Sequence, residues 1–392
     1  MKPRLYRRQF LKLMGTSLLS LFLQQCGIRP TSTESPIKTG TPQPVLTETV
    51  APSETAVPSQ TATTPPTATP AFEAMTSIGQ IDTYDLLQLR QKMRDMFEQL
   101  GGLADVIRPG ARVVIKPNLT GGTWLDSTLP APSTELFVTH PALVQVLSEL
   151  LIDAGAGRIR IVEGLGDESI FRAWGYEDAA SRVNAELIDL CKSAPYSDFA
   201  MFPVGAGRQV YDVLYMNAAL QEVDVFISFA KMKCHSTTGV TLTLKNLIGL
   251  APISLYRRDK EDNHRSAFHE SEIYDRRLPR VAVDLNLARP VHLALVDGIK
   301  TVEGGAGVWD VGYNPVQPGL IVAGKNAVAT DAVATAIMGF DPDAPSGSHP
   351  FSYADNHLLL AREAGLGTNR LNEIGIVGAD MADVVYPFKT AR

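Results

Sequence analysis

Residues 223–252 read "VDVFISFAKMKCHSTTGVTLTLKNLIGLAP". The run from Val225 to Ala230 is continuously apolar but for Ser228. Such a run reads as a strand covered on both faces, the mark of a parallel sheet. It leads straight into Lys231, Lys233 and His235, with Lys245 a short way on. The continuation carries two periodicities. Val240, Leu242 and Leu244 alternate with Thr241, Thr243 and Lys245, as in a strand. Thr238, Thr241, Lys245 and the adjacent Asn246 also share one helical face, with Val240, Leu244, Leu247 and Ile248 on the other. Gly249 followed by Pro252 is a helix stop, so the helix is the reading adopted.

Outward from this stretch, strand and helix patterns alternate. Leu86, Leu89, Met93, Met96, Phe97 and Leu100 recur at helical spacing and end at Gly101-Gly102. "ARVVIKPNL" (111–119) is a short strand ending at Lys116-Pro117-Asn118, and "HPALVQVLSELLIDAGAG" (140–157) is a helix with Pro141 near its start. "RIRIVEG", "VHLALVDG", "PGLIVAG" and "EIGIVG" supply further strands. Residues 168–184, "RLPRVAVDLNLARP" and "NAVATDAVATAIMGF" supply helices, while 186–190 and "RQVYDVLYM" add strand-like segments. The expectation is an α/β fold: a mostly parallel, Rossmann-like sheet with helices on both faces. Residues 253–280 form a long charged connection, read as either a lid or a disordered loop.

In open α/β sheets ligands bind beyond the carboxyl ends of the strands. Here those ends are polar: Lys116 and Asn118; Glu163 and Gly164; Lys231, Lys233 and His235; and Asp297, Lys300 and Glu303-Gly304-Gly305-Ala306-Gly307. Ammonium groups close together repel by about 4 kcal/mol at 4 Å in an effective dielectric near 20, unless an anion lies between them. A bound phosphate, carboxylate or sulfate would relieve that, and so would the chain's own Asp297, Glu303 or Asp331. This assigns Lys116, Asn118, Lys245 and Asn246 to binding an anion, with Lys231, Lys233 and His235 as catalytic candidates. His264, near Arg257 and Arg258, is placed on a lid. Asp297, Glu303 and Asp331 are grouped as candidates for a divalent metal. Cys234 beside His235 is set aside as a nucleophile, because neighbours in an extended segment point apart. The glycine run is neither a GxGxxG fingerprint nor a P-loop, and no GxSxG elbow is present.

The amino terminus reads as a targeting segment. Arg7-Arg8 precede an apolar run from Leu13 to Leu23, with no acid, as in a twin-arginine export signal over residues 1–26. At 11 residues the run is too short for ~30 Å of hydrocarbon. Cys26 stands where a lipid-modified cysteine would attach the chain to a membrane. Residues 27–76 are rich in Thr, Pro and Ser and read as a disordered stalk. They lead to a single domain over 77–392. Removing the five basic residues of 1–25 takes the net charge of −6 to about −11. Nucleic acid, which needs a basic face, is thereby excluded. Beyond Cys26 only Cys191 and Cys234 remain, too few to ligate an iron–sulfur cluster.

"VVIKPNL", "THPALVQVLSELLIDAGAGRIRIVEG", "KMKCHSTTGVTLTLKNLIG", "LALVDGIKTVEGGAG" and "GKNAVATDAVATAIMGFDP" follow one another in this order. Together they resemble the bacterial and archaeal family named domain of unknown function 362, over roughly residues 108–380. Some relatives carry a ferredoxin-like cysteine-rich extension, which this chain lacks. The family pattern often has "EGNGP" where this chain has residues 303–307, Glu-Gly-Gly-Ala-Gly. The resemblance implies the fold and the place of the site, but no reaction.

Three functions fit these residues. The first is an exported enzyme acting on a small anionic substrate, with His235 as general acid/base. The second is a membrane-tethered protein that captures an anionic solute without turnover. The third is racemase-type proton transfer between Lys and His.

Overall fold

The computed structural model describes Phe72, residues 74–269 and residues 277–391. The export signal, Cys26 and all but the last few residues of the stalk lie outside these, as do residues 270–276 of the charged connection.

In chain order the strands are β1 (Ala74–Gln80), β2 (Arg112–Pro117), β3 (Arg158–Glu163), β4 (Glu186–Asp189), β5 (Phe199–Pro203), β6 (Val213–Asn217) and β7 (Val225–Lys231). There follow β8 (Lys233–His235), β9 (Gly239–Thr241), β10 (Leu293–Gly298), β11 (Thr301–Glu303), β12 (Asn314–Val316), β13 (Leu320–Gly324) and β14 (Ile374–Gly378). Eight of them form one sheet in the order β14-β1-β13-β10-β7-β2-β3-β4. All neighbours in it are parallel except β13, which runs antiparallel to both β1 and β10. The chain thus has the expected mostly parallel α/β architecture.

Alternation of side chains divides the core into two layers. Val113, Ile115, Ile159, Ile161, Ile227 and Leu295 pack on one side, with Leu89, Met93 and the apolar face of the helix Pro141–Asp153. Val114, Val162 and Phe226 point to the other, under the helix Arg277–Ala288, while Val296 and Val322 meet the helix Ala327–Ile337. β7 is buried at all seven positions, as its unbroken apolar run requires.

Several local expectations are corrected. β1 starts at Ala74, inside the stretch read as stalk, and lies within the sheet between β13 and β14. Its sequence, AMTSIGQ, is too polar to announce a strand, yet Thr76 and Ser77 are fully buried. Residues 168–184 form two helices, Ser169–Ala173 and Tyr176–Arg182, broken where Gly175 adopts a left-handed φ of 76°. β6 pairs with β5 in a separate two-stranded sheet.

The segment after β7 is not a helix from Thr238. It is a hairpin of β8 and β9, followed by a single helical turn, Thr243–Asn246. Gly239 makes the tight turn possible with a φ of 73°, and a Cβ there would meet the Pro350 carbonyl oxygen at 2.9 Å. The helical turn is started from elsewhere. The buried carboxylate of Asp331 accepts from Thr243 N, Leu244 N and Thr243 Oγ1 at 2.8, 2.8 and 2.6 Å. Both periodicities in the sequence are therefore used, one after the other.

Candidate functional site

The carboxyl ends of β2, β3, β7 and β10 lie side by side along the parallel part of the sheet, and their polar residues form two sealed ion pairs. On β7 and β10, Lys231 and Asp297 are direct register partners. Lys231 Nζ lies 2.9 Å from Asp297 Oδ2, with both side chains wholly inaccessible. The Asp297 carboxylate also accepts from Tyr84 Oη at 3.2 Å, His140 N at 3.1 Å and Ile299 N at 3.2 Å. Lys231 donates further to Thr134 O and Tyr84 Oη. The Tyr84 ring stacks on His140 at 3.8 Å. Burial lowers the Lys231 ammonium and drives the His140 imidazole down to about 4. The Lys231 ammonium is thus engaged by a carboxylate, a carbonyl oxygen and a phenol oxygen of the protein itself.

The second pair joins β2 to β3. Lys116 Nζ lies 2.8 Å from Glu163 Oε2, again sealed from solvent. Glu163 also accepts from Leu119 N at 2.8 Å and Gly164 N at 2.9 Å. Asn246 ties this pair to the helical turn: its Oδ1 accepts from Lys116 Nζ and Asn118 Nδ2, and its Nδ2 donates to Lys116 O and Ser228 Oγ. Gly249 is pressed against the pair, and a Cβ there would run into the Glu163 carboxylate and within 2.8 Å of Lys116 Nζ. Lys116, Asn118 and Asn246 thus form one buried network, in which Asn118 Oδ1 has no hydrogen-bond partner among the described residues.

Among the described residues Lys233 and Lys245 have no carboxylate of their own. Alternation along β8 puts Lys233 and His235 on one face and Cys234 on the other, where Cys234 joins the core. Burial pushes the Cys234 thiol up to about 12, which removes it as a nucleophile. Lys233 Nζ donates to Phe137 O at 2.7 Å and lies 6.0 Å from the ring centroids of both Phe137 and Trp309. Trp309, from the glycine-rich loop between β11 and β12, is held between Gly121 and Gly307, where any Cβ would strike its indole. Burial, followed by repulsion from Lys245 and Lys231, holds the Lys233 ammonium well below its usual range.

Lys245 is partly buried, and among the described residues its ammonium has neither a hydrogen-bond acceptor nor an ion-pair partner. Burial first, and then the nearby charges of Lys116 and Arg265, bring it down to about 8 against the opposing pull of Glu163. Arg265 reaches in from the charged connection and donates to Gly164 O at 3.0 Å and Gly249 O at 3.4 Å. His235 Nδ1 accepts from Thr237 N at 3.1 Å and Thr238 N at 3.3 Å. That lone pair is taken, so the neutral ring carries its proton on Nε2 and presents a donor. Burial and the surrounding cations Lys245, His269 and Lys233 hold it well below its usual range. His357 completes the group: it is fully buried, and among the described residues neither ring nitrogen has a hydrogen-bond partner. Burial and Lys245 depress it to about 3.

Two sequence expectations do not survive this geometry. Asp297, Glu303 and Asp331 are not brought together: Asp297 neutralises Lys231, Glu303 accepts from Lys389 and Asn314, and Asp331 caps the turn at Thr243. Among the described residues no group of three His, Cys, Asp or Glu is arranged to hold a metal ion. His264 is exposed, its backbone N–H turned back to Asp262, and the connection contributes Arg265 instead. Arg265, His357, Tyr84 and Trp309 were not foreseen. Nothing in "RRDKEDNHRSAFHE" distinguishes Arg265 from Arg257 or Arg258, and His357 merely follows a helix N-cap, Asn356.

A thylakoid-associated protein of Synechocystis sp. is 26% identical over 267 residues, which cover 68% of this chain and 75% of that protein. A crystal structure of a Thermotoga maritima protein aligns with a TM-score of 0.34 at 11% identity, covering 67% of this chain and 60% of the other. The lactate racemase apoprotein of Thermoanaerobacterium thermosaccharolyticum aligns with a TM-score of 0.34 at 13% identity, covering 63% of this chain and 54% of the other. This chain therefore spans less than two thirds of the length of either solved structure. The model of the family described as domain of unknown function, DUF362, matches residues 113–336, from β2 to the helix after β13, and the chain belongs to that family.

Proposed function

We propose that the protein is an enzyme that takes a small anionic substrate at the cluster of Lys233, Lys245, Arg265 and His235. The observation that carries this reading is the unequal treatment of the lysines. Lys116 and Lys231 each have a buried carboxylate, whereas Lys233 and Lys245 have none among the described residues. A buried ammonium without a counterion is destabilised, as their lowered basicity reflects, and a bound carboxylate or phosphate would supply the missing charge. Arg265 adds a planar donor for such a group, and His235 adds an Nε2–H. Lys245, at about 8, is the group best matched to exchanging a proton near neutrality. It takes the acid–base role first given to His235.

A thermal-shift screen of small phosphates and carboxylates tests this reading, with Lys245→Met and Lys233→Met alongside. Stabilisation by at least one anion, lost in both variants, supports it; no shift with any anion removes it. The alternative, capture without turnover, draws on the occupied Nδ1 of His235, which leaves one conventional base fewer. A bound anion recovered chemically unchanged after long incubation would favour that alternative.

Membrane association is part of the proposal. It draws on the thylakoid-associated relative and on the export signal and Cys26 of the sequence. Among the described residues no helix is long and apolar enough to cross a membrane. In this proposal attachment passes through a lipid on Cys26, and Cys26→Ser should release the protein from the membrane fraction.

A further inference from the structure

Resting on the anion-site reading above, we infer that Lys245 is a nucleophilic lysine that condenses with the carbonyl of a small oxo acid. The substrate class is thereby narrowed from anions in general to those carrying an aldehyde or ketone. Four features lead to it. Among the described residues neither a carboxylate nor a carbonyl oxygen engages the Lys245 amine, whereas Lys116, Lys231 and Lys233 all donate to fixed acceptors. Its backbone is fixed, because the turn that carries it is capped by the Asp331 carboxylate and its neighbour Asn246 is locked into the Lys116 network. Burial and adjacent cations, the two conditions that free a lysine lone pair near neutral pH, are both present. Lys116 and Arg265 are the neighbouring cations that depress it most, so a substrate carboxylate drawn to those charges would bring its carbonyl towards the amine.

The step balances without a redox partner. The neutral Lys245 Nζ adds to the carbonyl carbon and forms a carbinolamine. Loss of the hydroxyl as water, with a proton supplied to it, then leaves the C=N bond. The reaction consumes one amine and one carbonyl and releases one water. His235 Nε2–H can donate to the carbonyl oxygen as charge develops on it.

The test is reductive trapping on the full chain. The protein is incubated with pyruvate or, in parallel, with lactate, which has the same carboxylate but no carbonyl; sodium borohydride is then added, and the modified peptide is mapped. The expected result is one reduced pyruvate adduct per chain, confined to Lys245, and none with lactate. Trapping should accelerate as pH rises through about 8 and disappear in Lys245→Arg, which keeps the positive charge. Labelling that is absent, is centred on Lys233, or is spread over exposed lysines such as Lys192 overturns the inference. The wild-type map decides this even if the variant fails to fold. If both acids stabilise the protein and no adduct forms, the nucleophile is refuted and the anion site stands. If neither acid binds, and no other anion does, both fall together.

Discussion

Lys231 and Asp297 sit directly opposite each other on adjacent parallel strands and pair at 2.9 Å, out of reach of solvent. The pair consumes the most central lysine of the cluster and one of the three carboxylates expected to bind a metal. It also shows how this sheet edge tolerates its charge: Lys116 and Lys231 are each neutralised by a carboxylate within the protein.

Breaking the pair should be costly. Asp297→Asn leaves an ammonium buried without a counter-charge and is expected to lower unfolding stability by about 3–5 kcal/mol. The double variant Lys231→Met/Asp297→Leu should recover most of that loss, since apolar residues of similar volume remove both charges together. Urea denaturation of the three proteins checks the order. Equal losses in the single and double variants would contradict it.

Gly249 is predicted to accept no side chain. Gly249→Ala drives a methyl into the Glu163 carboxylate beside Lys116 and should destabilise by about 1–3 kcal/mol. Gly101→Ala, at an open turn, provides a contrast: nothing lies within 4 Å of its Cβ, so its cost comes only from a φ of 83°. Thermal unfolding in the presence of a stabilising anion should also show weaker protection in Gly249→Ala, because Lys116 and Arg265 both border that glycine.

The buried histidines set an acid limit. His140 and His357 are held neutral, at about 4 and about 3, whereas in the unfolded chain they protonate near 6.5. The unfolded state thus binds more protons below about 6.5, and stability falls as pH drops from there, by up to about 1.4 kcal/mol per pH unit for each histidine. Asp331 works in the opposite sense. Raised to about 7, it makes the folded state the better proton binder between about 4 and 7, so its share of stability is lost as pH rises across that range. His357→Leu removes two buried nitrogens without partners. It should raise stability near pH 5 more than near pH 8, as denaturation at the two values would show.

Trp309 is predicted to shield Lys233. Trp309→Ala removes a ring face 6.0 Å from the ammonium and opens that side to water. Lys233 should then become more accessible and more readily acylated by acetic anhydride, as peptide mapping would read out. Unchanged labelling would place the shield elsewhere, on Phe137.

The sheet was legible because its strands are short apolar runs ending in polar residues, and "VDVFISFAK" alone implies a parallel neighbour on each side. What escaped was decided by contacts distant in sequence. The hairpin at Lys233–Thr241 was hidden because threonine and leucine at 240–244 satisfy both periods, and the tie was broken by Asp331, far along the chain. β1 was hidden because its burial comes from β13 and β14, not from its own composition. The cluster of lysines was visible; which of them are neutralised was not, since Glu163 and Asp297 each choose a partner through strand register. Arg265 and His357 carry no local signal at all.

The central claim is that Lys233 and Lys245 are cations awaiting a counter-charge. Titration calorimetry at pH 8 with an anion found to stabilise the protein, repeated in buffers of different ionisation enthalpy, tests it most directly. If the claim holds, binding takes up protons as the Lys245 amine, held at about 8, is recharged, and the uptake falls in Lys245→Met. Binding with no proton uptake, or with uptake unchanged in that variant, would contradict it.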